Sequence, residues 1–336
     1  MKTTIYDIAK AAGVSIATVS KVINETGRIS ADTRERVHEI MKELDYQPSV
    51  VASALTGKST FSIGLLIPDL ANPFFAELAR SVEDRGQELG FNLVMCSTDN
   101  NPKKEASYVT LLKQKRVDGI IIATGLSDET ILKGLIDQKI PLAFVARDMP
   151  SVVSDSVLID DFMGGYLGAS HLVSLGHRRI AILSDDLAQR SGSERIRGYR
   201  HALEEAGIAF EPDYVAESAS SPDAGKRRTF ELLDSEKPPT AIFAFNDLLA
   251  IGVVQAAKER RLSIPWDLSV VGFDNTILAG IVDPPLTSVS QPIPDIGRQV
   301  MDVLIGAIRD RKQAKERIVL KPELIVREST AFPRMV

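Results

Sequence analysis

Residues 6–24 read YDIAKAAGVSIATVSKVIN, and this run decides the character of the first sixty positions. Thr4 stands before it and Asp7 follows three residues later, the spacing of a capping box, so a helix is expected to begin there. Ile5, Ile8 and Ala9 fall on one face of that helix. Gly13 ends it, because glycine takes the left-handed conformation that a sharp turn between helices requires. Ser15 then caps a second helix, Ile16–Ile23, with Val19, Val22 and Ile23 turned inward. Ser30 caps a third, Ala31–Leu44, with Val37, Ile40, Met41 and Leu44 apolar. Two short helices joined by a tight turn and braced by a third form a helix-turn-helix domain over residues 1–46. The hydroxyls of Ser15, Thr18 and Ser20, with the free N–H groups of the second helix, suit phosphate oxygens. Ile16, Ala17 and Lys21 would project into a major groove.

Residues 47–60, QPSVVASALTGKST, change texture again. Pro48 stops what precedes, Ser49 can cap, Val50–Leu55 offers one or two apolar helical turns, and Gly57 can end them. A helix this short is marginal alone in water and is expected to order only against a partner.

From residue 62 onward, short β-branched runs alternate with amphipathic segments. Strands are predicted at Ser62–Ile67, Asn92–Cys96, Gly119–Ala123, Pro141–Val145, Val157–Ile159, Ile180–Leu183, Ala241–Phe245 and Val270–Phe273. Their nearly continuous hydrophobicity is that of parallel strands covered on both faces. Phe75, Leu78, Val82 and Leu89, and later Ile296, Val300, Val303 and Leu304, keep helical spacing between them. So many units predict two doubly wound parallel sheets, an α/β core over 61–336 with its first break near Asp160–Asp161. The first lobe is expected to take 61–159 and 290–322, the second 160–289 and 323–330, with Asp283–Pro292 read as a non-helical return between them.

Composition narrows the function. The chain has 336 residues and a formal net charge of −5, with 44% hydrophobic and 25% charged residues, which excludes global disorder. Residues 1–60 hold eight basic against seven acidic side chains, too even a balance to identify a nucleic-acid binder by charge. The single cysteine, Cys96, can form no internal disulfide, and no cysteine cluster suits zinc, so the reading is a cytoplasmic protein without metal or cofactor. Asp7 and Lys10 interrupt any secretory signal, and no apolar run is long enough to span a membrane.

Set in order, YDIAKAAGVSIATVSKVIN, Ser30-Ala31-Asp32-Thr33-Arg34 and Leu44-Asp45-Tyr46-Gln47-Pro48 closely resemble the N-terminal domain of LacI/GalR transcription regulators. The resemblance continues through Gly57-Lys58, Ile63-Gly64-Leu65, Asn72-Pro73-Phe74-Phe75, Val117-Asp118-Gly119-Ile120, Leu175-Gly176-His177-Arg178-Arg179-Ile180, Asn246-Asp247, Val271-Gly272-Phe273-Asp274 and Leu286-Thr287-Ser288-Val289. It thus covers essentially the whole chain. The resemblance implies a homodimeric repressor that binds a pseudo-palindromic DNA operator and carries a two-lobed sensor like a periplasmic sugar-binding protein. It implies DNA contacts from Thr4, Tyr6, Ser15, Ile16, Ala17, Thr18, Ser20, Lys21 and Asn24, and from Ser49, Ala52 and Leu55 of a hinge helix in the minor groove. Leu55 falls where the family places an apolar wedge between base pairs, which costs roughly a few kcal/mol of unstacking and is offset by the contacts of bent DNA.

The resemblance also implies a cleft lined by Asn72, Phe74, Arg147, Arg195, Asn246, Asp274 and Gln291. An aromatic platform, a guanidinium fork and acceptors for paired hydroxyls make a sugar-like site. All these residues lie at or after the C-terminal ends of predicted strands, where open α/β sheets bind ligands. Phe75 and Phe273 are read as core. Two departures stand out: Val145-Ala146-Arg147 where the family often has Val-Asp-Arg, and no second-lobe aromatic near Ser220–Ser221. A common hexose is therefore not assured, and phosphorylated or smaller effectors, or a phosphoprotein co-repressor, stay open. The rival classes are a sugar-binding receptor without a DNA role, and an enzyme, for which no acid/base or nucleophile constellation is found.

Several patterns lead nowhere. Leu55-Thr56-Gly57-Lys58-Ser59 has Ala52 where a P-loop needs its first glycine. Gly164-Gly165 and Gly168 lack dinucleotide-binding spacing and read as helix packing. His38, His171, His177 and His201 show no metal-ligand spacing, and Lys226-Arg227-Arg228 reads as a solvated helix face.

Overall fold

A computed structural model describes residues 3–23, 26–46, 59–126, 128–146, 154–184, 189–310 and 315–334. The chain falls into two compact units, Met1–Thr60 and Phe61–Val336.

The first unit holds α1 (Ile5–Ala12), α2 (Ile16–Ile23) and α3 (Ala31–Glu43). The Asp7 carboxylate accepts from the backbone N–H and the hydroxyl of Thr4, at 2.8 and 2.7 Å. Those bonds hold the Asp7 carboxyl below its usual range. The Ser15 hydroxyl accepts from the Thr18 N–H at 3.1 Å and Ser30 caps α3 through the Thr33 N–H. Gly13 ends α1 at φ 62°, and a Cβ there would meet no atom within 4 Å. Its glycine serves the turn alone and not a close helix approach. Ile8, Ala9, Ala12, Val19, Val22 and Val37 make the buried centre, with Ile40 and Met41 half-buried against it. Leu44, expected inside, is 40% exposed as the residue that ends α3.

The second unit contains β1 (Ser62–Ile67), β2 (Asn92–Ser97), β3 (Gly119–Ile122), β4 (Leu142–Val145), β5 (Asp155–Ile159), β6 (Ile180–Ser184), β7 (Val215–Glu217), β8 (Ala241–Ala244), β9 (Ser269–Asp274), β10 (Thr287–Ser290), β11 (Arg317–Leu320) and β12 (Glu323–Ile325). They form two six-stranded sheets, ordered β11-β5-β4-β3-β1-β2 and β12-β10-β9-β8-β6-β7. The two orders are the same arrangement built twice. All described pairings are parallel except β10 with β12. Thr287–Ser290 lies in the second sheet, so part of the segment expected to be a non-helical return is a strand that was not singled out. Its hydroxyl-rich sequence hid it; the Thr287 hydroxyl accepts from the Arg327 N–H, that of Ser288 donates to the Asp247 carboxylate, and that of Ser290 accepts from the Asn275 side chain. After it, the Ile293–Asp310 helix packs Ile296, Val300, Met301, Leu304 and Ile305 on the first sheet beside Leu78 and Val82.

The glycines of the Asp161–Ser174 and Arg190–Glu205 helices show how tightly the second lobe is packed. A Cβ on Gly165 would lie 2.0 Å from the Arg195 carbonyl oxygen, and one on Gly198 2.0 Å from that of Phe162. The two helices therefore cross backbone against backbone, which seats Arg195 beside the start of the partner helix.

Candidate functional site

On the helix-turn-helix unit, the residues expected to meet DNA divide by what they already bond. Tyr6 is 68% and Ile16 40% exposed, and Ser15, Ala17 and Lys21 are exposed as well. Thr18 and Ser20 are half-buried, and the Ser15 and Thr18 hydroxyls bond one another at 2.9 Å as part of the cap. Thr4 is exposed but its hydroxyl is held by Asp7. The first residues of α2 thus leave an apolar and small surface, Ile16 and Ala17, with Lys21 one turn on. Asn24, Ser49, Ala52 and Leu55, with the expected hinge helix, lie outside the described residues.

In the second unit, a cavity of about 160 Å³ opens between the two sheets. Its walls are the residues just after the strands. Asp69, Asn72, Phe74 and Phe75 follow β1, Asn100 follows β2, Ala123 follows β3 and Ala146 follows β4. From the other lobe come Gln189, Ser191 and Arg195 after β6, Ser220 after β7, Phe245 and Asn246 after β8, Asp274 at the end of β9 and Gln291 after β10. In each sheet the strand order reverses at β1/β3 or β6/β8, and the cavity sits over both reversals. Six of the seven residues expected in the cleft line it; the seventh, Arg147, lies outside the described residues.

The side chains are firmly placed. The Arg195 Nε donates to Asp161 at 2.8 Å and its Nη1 to the Phe245 carbonyl at 2.6 Å. The guanidinium carbon stands 3.6 Å from the centroid of the Phe273 ring. Gln291 donates to the Asp274 carboxylate at 2.6 Å. Asn72 and Asn246 each cap a helix, accepting from the N–H of Phe74 at 3.0 Å and of Leu249 at 2.8 Å. Asn246 also donates to the Ser220 hydroxyl at 2.7 Å, so a serine occupies the place of the missing aromatic. Asp274 adopts φ 96° and Ala146 φ 54°, left-handed backbone on opposite walls. Phe74 is 5% exposed and joins the core, whereas Phe75, read as core alone, is half-buried and lines the cavity too. Asp69, Asn100, Ser191 and Ser220 were not singled out in the sequence. Their common signal is position: Asp69, Asn100 and Ser220 stand two or three residues after a strand and Ser191 in the first turn of the Arg190–Glu205 helix, and their residue types say little.

Residues 4–49 match the family described as bacterial regulatory proteins, lacI family, and residues 169–330 a periplasmic binding protein-like domain. The chain is 50% identical to the HTH-type transcriptional regulator DegA of Bacillus subtilis (strain 168) over 334 residues, 98% of this chain and 99% of that one. The chain belongs to the LacI family of bacterial regulatory proteins. It is a helix-turn-helix transcription regulator. Two solved structures of LacI-type regulators align over 98% of this chain and all of theirs. The lac repressor dimer bound to operator and the anti-inducer ONPF gives a TM-score of 0.87 at 31% identity, and the transcriptional regulator CelR–cellobiose complex 0.76 at 30%. Among the described residues no helix is long and apolar enough to cross a membrane.

Proposed function

We propose that this regulator is a cytoplasmic repressor that binds a pseudo-palindromic operator as a homodimer, with a small sugar-like effector in its cleft setting operator affinity. The reading divides the chain into a DNA-binding domain at 1–46, a hinge at 47–60 and a sensor at 61–336. One observation carries it: a cavity over the reversal points of both sheets, in a chain whose first unit presents α2 with Ile16, Ala17 and Lys21 exposed. The volume, about 160 Å³, is below the ~300–1,000 Å³ of drug-sized sites and suits a single small ring. The charges favour an uncharged one. Asp69 and Asp274 line the cavity, and the guanidinium of Arg195 is already paired with Asp161. Among the described lining residues a phosphorylated effector would meet more carboxylate than cation, while hydroxyls find both donors and acceptors. The lac repressor's operator and the CelR complex's cellobiose support the same two partners by family. Catalysis has no part in this reading.

A gel-shift titration with a palindromic duplex tests the DNA half. Ile16 and Ala17 can sense thymine methyls and groove shape, and Lys21 can donate to guanine O6/N7. Lys21→Ala is expected to relax preference at one base pair per half-site at a cost of about 1–3 kcal/mol. A uniform loss across sequences would make Lys21 a phosphate contact. A thermal-shift screen of neutral sugars, sugar phosphates and nucleobases tests the effector half, since a binder adds stability as RT ln(1 + [L]/Kd). Stabilisation by sugar phosphates alone would overturn the charge argument.

A further inference from the structure

Asp247 is 2% exposed and is not among the residues lining the cavity, yet its carboxylate accepts three hydrogen bonds from the cleft's scaffolding. It follows Asn246, whose side chain caps the Asp247–Glu259 helix. One carboxylate oxygen accepts from the Thr276 N–H at 2.7 Å and the Thr276 hydroxyl at 2.9 Å; the other accepts from the Ser288 hydroxyl at 2.8 Å. Ser288 in turn accepts from the Asn275 N–H at 3.1 Å. Gly272 makes room for this: a Cβ there would lie 2.7 Å from the Asp247 carboxylate. Three segments meet at one buried anion: the Asn246 cap, the turn after β9, and β10, which leads to Gln291.

The turn needs the support. Asp274 at φ 96° and Asn275 at φ 55° are consecutive left-handed residues, a conformation that L side chains adopt at a cost. From the other side Arg327 donates to the Asn275 side chain and to the Leu286 carbonyl, both at 2.7 Å. The turn is thus clamped between a carboxylate and a guanidinium, with Asp274 projecting from it toward the cavity. It runs on into Ile277, whose N–H donates to Glu77 of the first lobe at 3.1 Å.

We propose that Asp247 is a positioning residue of the effector site: through Thr276 and Ser288 it holds the left-handed turn that presents Asp274, and it ties that turn to the Asn246 cap. The inference rests on the cleft being the effector site, and it extends that reading to a residue no ligand touches. It also gives the adjoining Asn246-Asp247 pair two distinct tasks, one at the cavity wall and one behind it.

The test uses the full chain and three variants, Asp247→Asn, Thr276→Val and Ser288→Ala. Hydrogen exchange without any ligand reads the turn directly. Asp247→Asn is expected to speed exchange of the Asn275 and Thr276 amides at least tenfold, with the first-lobe strands unchanged. Ser288→Ala and Thr276→Val should do so in smaller steps, which keeps the test open if Asp247→Asn folds poorly. Wild-type exchange of the turn in all three variants, or a loss of protection spread evenly over the second lobe, would overturn the proposal. Calorimetry with D-ribose and with D-glucose adds the functional readout: whichever sugar binds the wild type should bind Asp247→Asn at least tenfold more weakly. If neither binds, these two sugars are excluded as effectors while exchange still decides what Asp247 does. Unchanged affinity beside a loosened turn would overturn the positioning role.

Discussion

On the second-lobe side of the cleft, Asn246, Asp274 and Gln291 are each at most 6% exposed, and every one is hydrogen-bonded to a neighbour. On the first-lobe side, Asp69 and Asn100 are exposed and Asn72, Phe75 and Ala146 half-buried. These polar groups of the second-lobe wall are buried and hydrogen-bonded within it, whereas several of those on the first-lobe wall stand exposed. A ligand meeting the buried wall pays little to order it, so most of its affinity should arise there. The open wall gains its contacts when the lobes approach, and a ligand shifts that equilibrium only by its differential affinity for the two forms. On the proposed function, affinity should thereby rest mainly on the second lobe and signalling on the first. Reciprocity then requires the operator to change effector affinity by the factor the effector applies to operator affinity.

The largest effect should come from breaking the buried wall at its foundation. In Gly165→Ala the new Cβ meets the Arg195 carbonyl oxygen at 2.0 Å, and backbone on both sides leaves nothing flexible to yield. Overpacking usually costs about 1–3 kcal/mol, and this site belongs at or above the top of that range. The matched change in the first lobe, Gly134→Ala in the Glu129–Asp137 helix, meets no atom within 4 Å. It is expected to stabilise by about 0.5–1 kcal/mol, the helix penalty of glycine. Urea unfolding of the two variants checks the pair, and similar midpoints would deny the difference between the lobes.

Removing a ligand contact from the buried wall comes next. Asp274→Ala deletes a carboxylate and leaves the Gln291 amide without its 2.6 Å acceptor. Charged hydrogen bonds are worth about 1.5–3 kcal/mol, so effector affinity should fall roughly 10- to 150-fold. At a ligand concentration that half-saturates the wild type, the ligand's effect on operator binding should be lost, and it should return when the variant is saturated, while ligand-free dimerisation and DNA binding stay near normal. A full ligand response at that same low concentration would move the signal elsewhere, most simply to a partner docking on the first lobe.

How far the sequence could be read follows the same division. Helix starts were legible where side chain and backbone act together, as at Thr4 with Asp7, at Ser15 and at Ser30. Central strands were legible because Ile120, Ile121 and Ile122, or Ile180 to Leu183, are buried on both faces. The short edge strand Val215–Glu217 and the alternating Arg317–Leu320 and Glu323–Ile325 carried too little apolar sequence to register. In the cleft, residues quoted from the family motifs line the cavity, but the distant partners of their hydrogen bonds were not foreseeable. Asn246 looked like a ligand group and is also a helix cap, and Ser220 is its partner 26 residues away. Asp247 was in plain view beside Asn246, but its partners lie 29 and 41 residues on, a separation no local pattern encodes.

A smaller and graded effect concerns the base of the buried lobe, away from the cavity. His177 is 2% exposed, with one ring nitrogen bonded to the Thr240 hydroxyl and the other to Ser269 and the Ala331 carbonyl. Burial lowers its pKa, and that of His171, below the ordinary value of 6.5. Both therefore take up a proton less readily in the folded chain than in the unfolded one, which titrates near pH 6.5. Stability from these groups is present above that pH and is lost as pH falls through their folded values. One differential proton is worth about 1.4 kcal/mol per pH unit, the ceiling for each histidine. Urea titrations from pH 7 to pH 5 should show the decline, and His177→Gln should shallow it. A slope unchanged by that substitution would mean His177 titrates alike in both states.

The smallest effect is expected on the open wall, at Asn100. Its side-chain oxygen accepts from the Thr124 hydroxyl at 3.1 Å, the single proton that Thr124 can instead donate to the buried Thr98 hydroxyl at 2.9 Å. Loss of the acceptor is cheap, because Thr124 also reaches the Gly125 carbonyl at 3.4 Å. Asn100 sits at φ 50°, where alanine would add backbone strain to the loss of the side chain. Asn100→Gly avoids that, since glycine adopts the same backbone freely. It should change unfolding free energy by less than about 1 kcal/mol and effector affinity by less than about tenfold, the scale of one neutral hydrogen bond. Its larger consequence should be on coupling: a first-lobe contact made only on closure contributes to the closed form alone, so its loss reduces the effector's influence on operator affinity more than it reduces binding. Parallel titrations of effector onto free protein and onto the operator complex separate the two quantities. If Asn100→Gly weakens binding as much as Asp274→Ala does, and leaves the coupling factor untouched, the two walls share the ligand equally and the division of labour between the lobes is wrong.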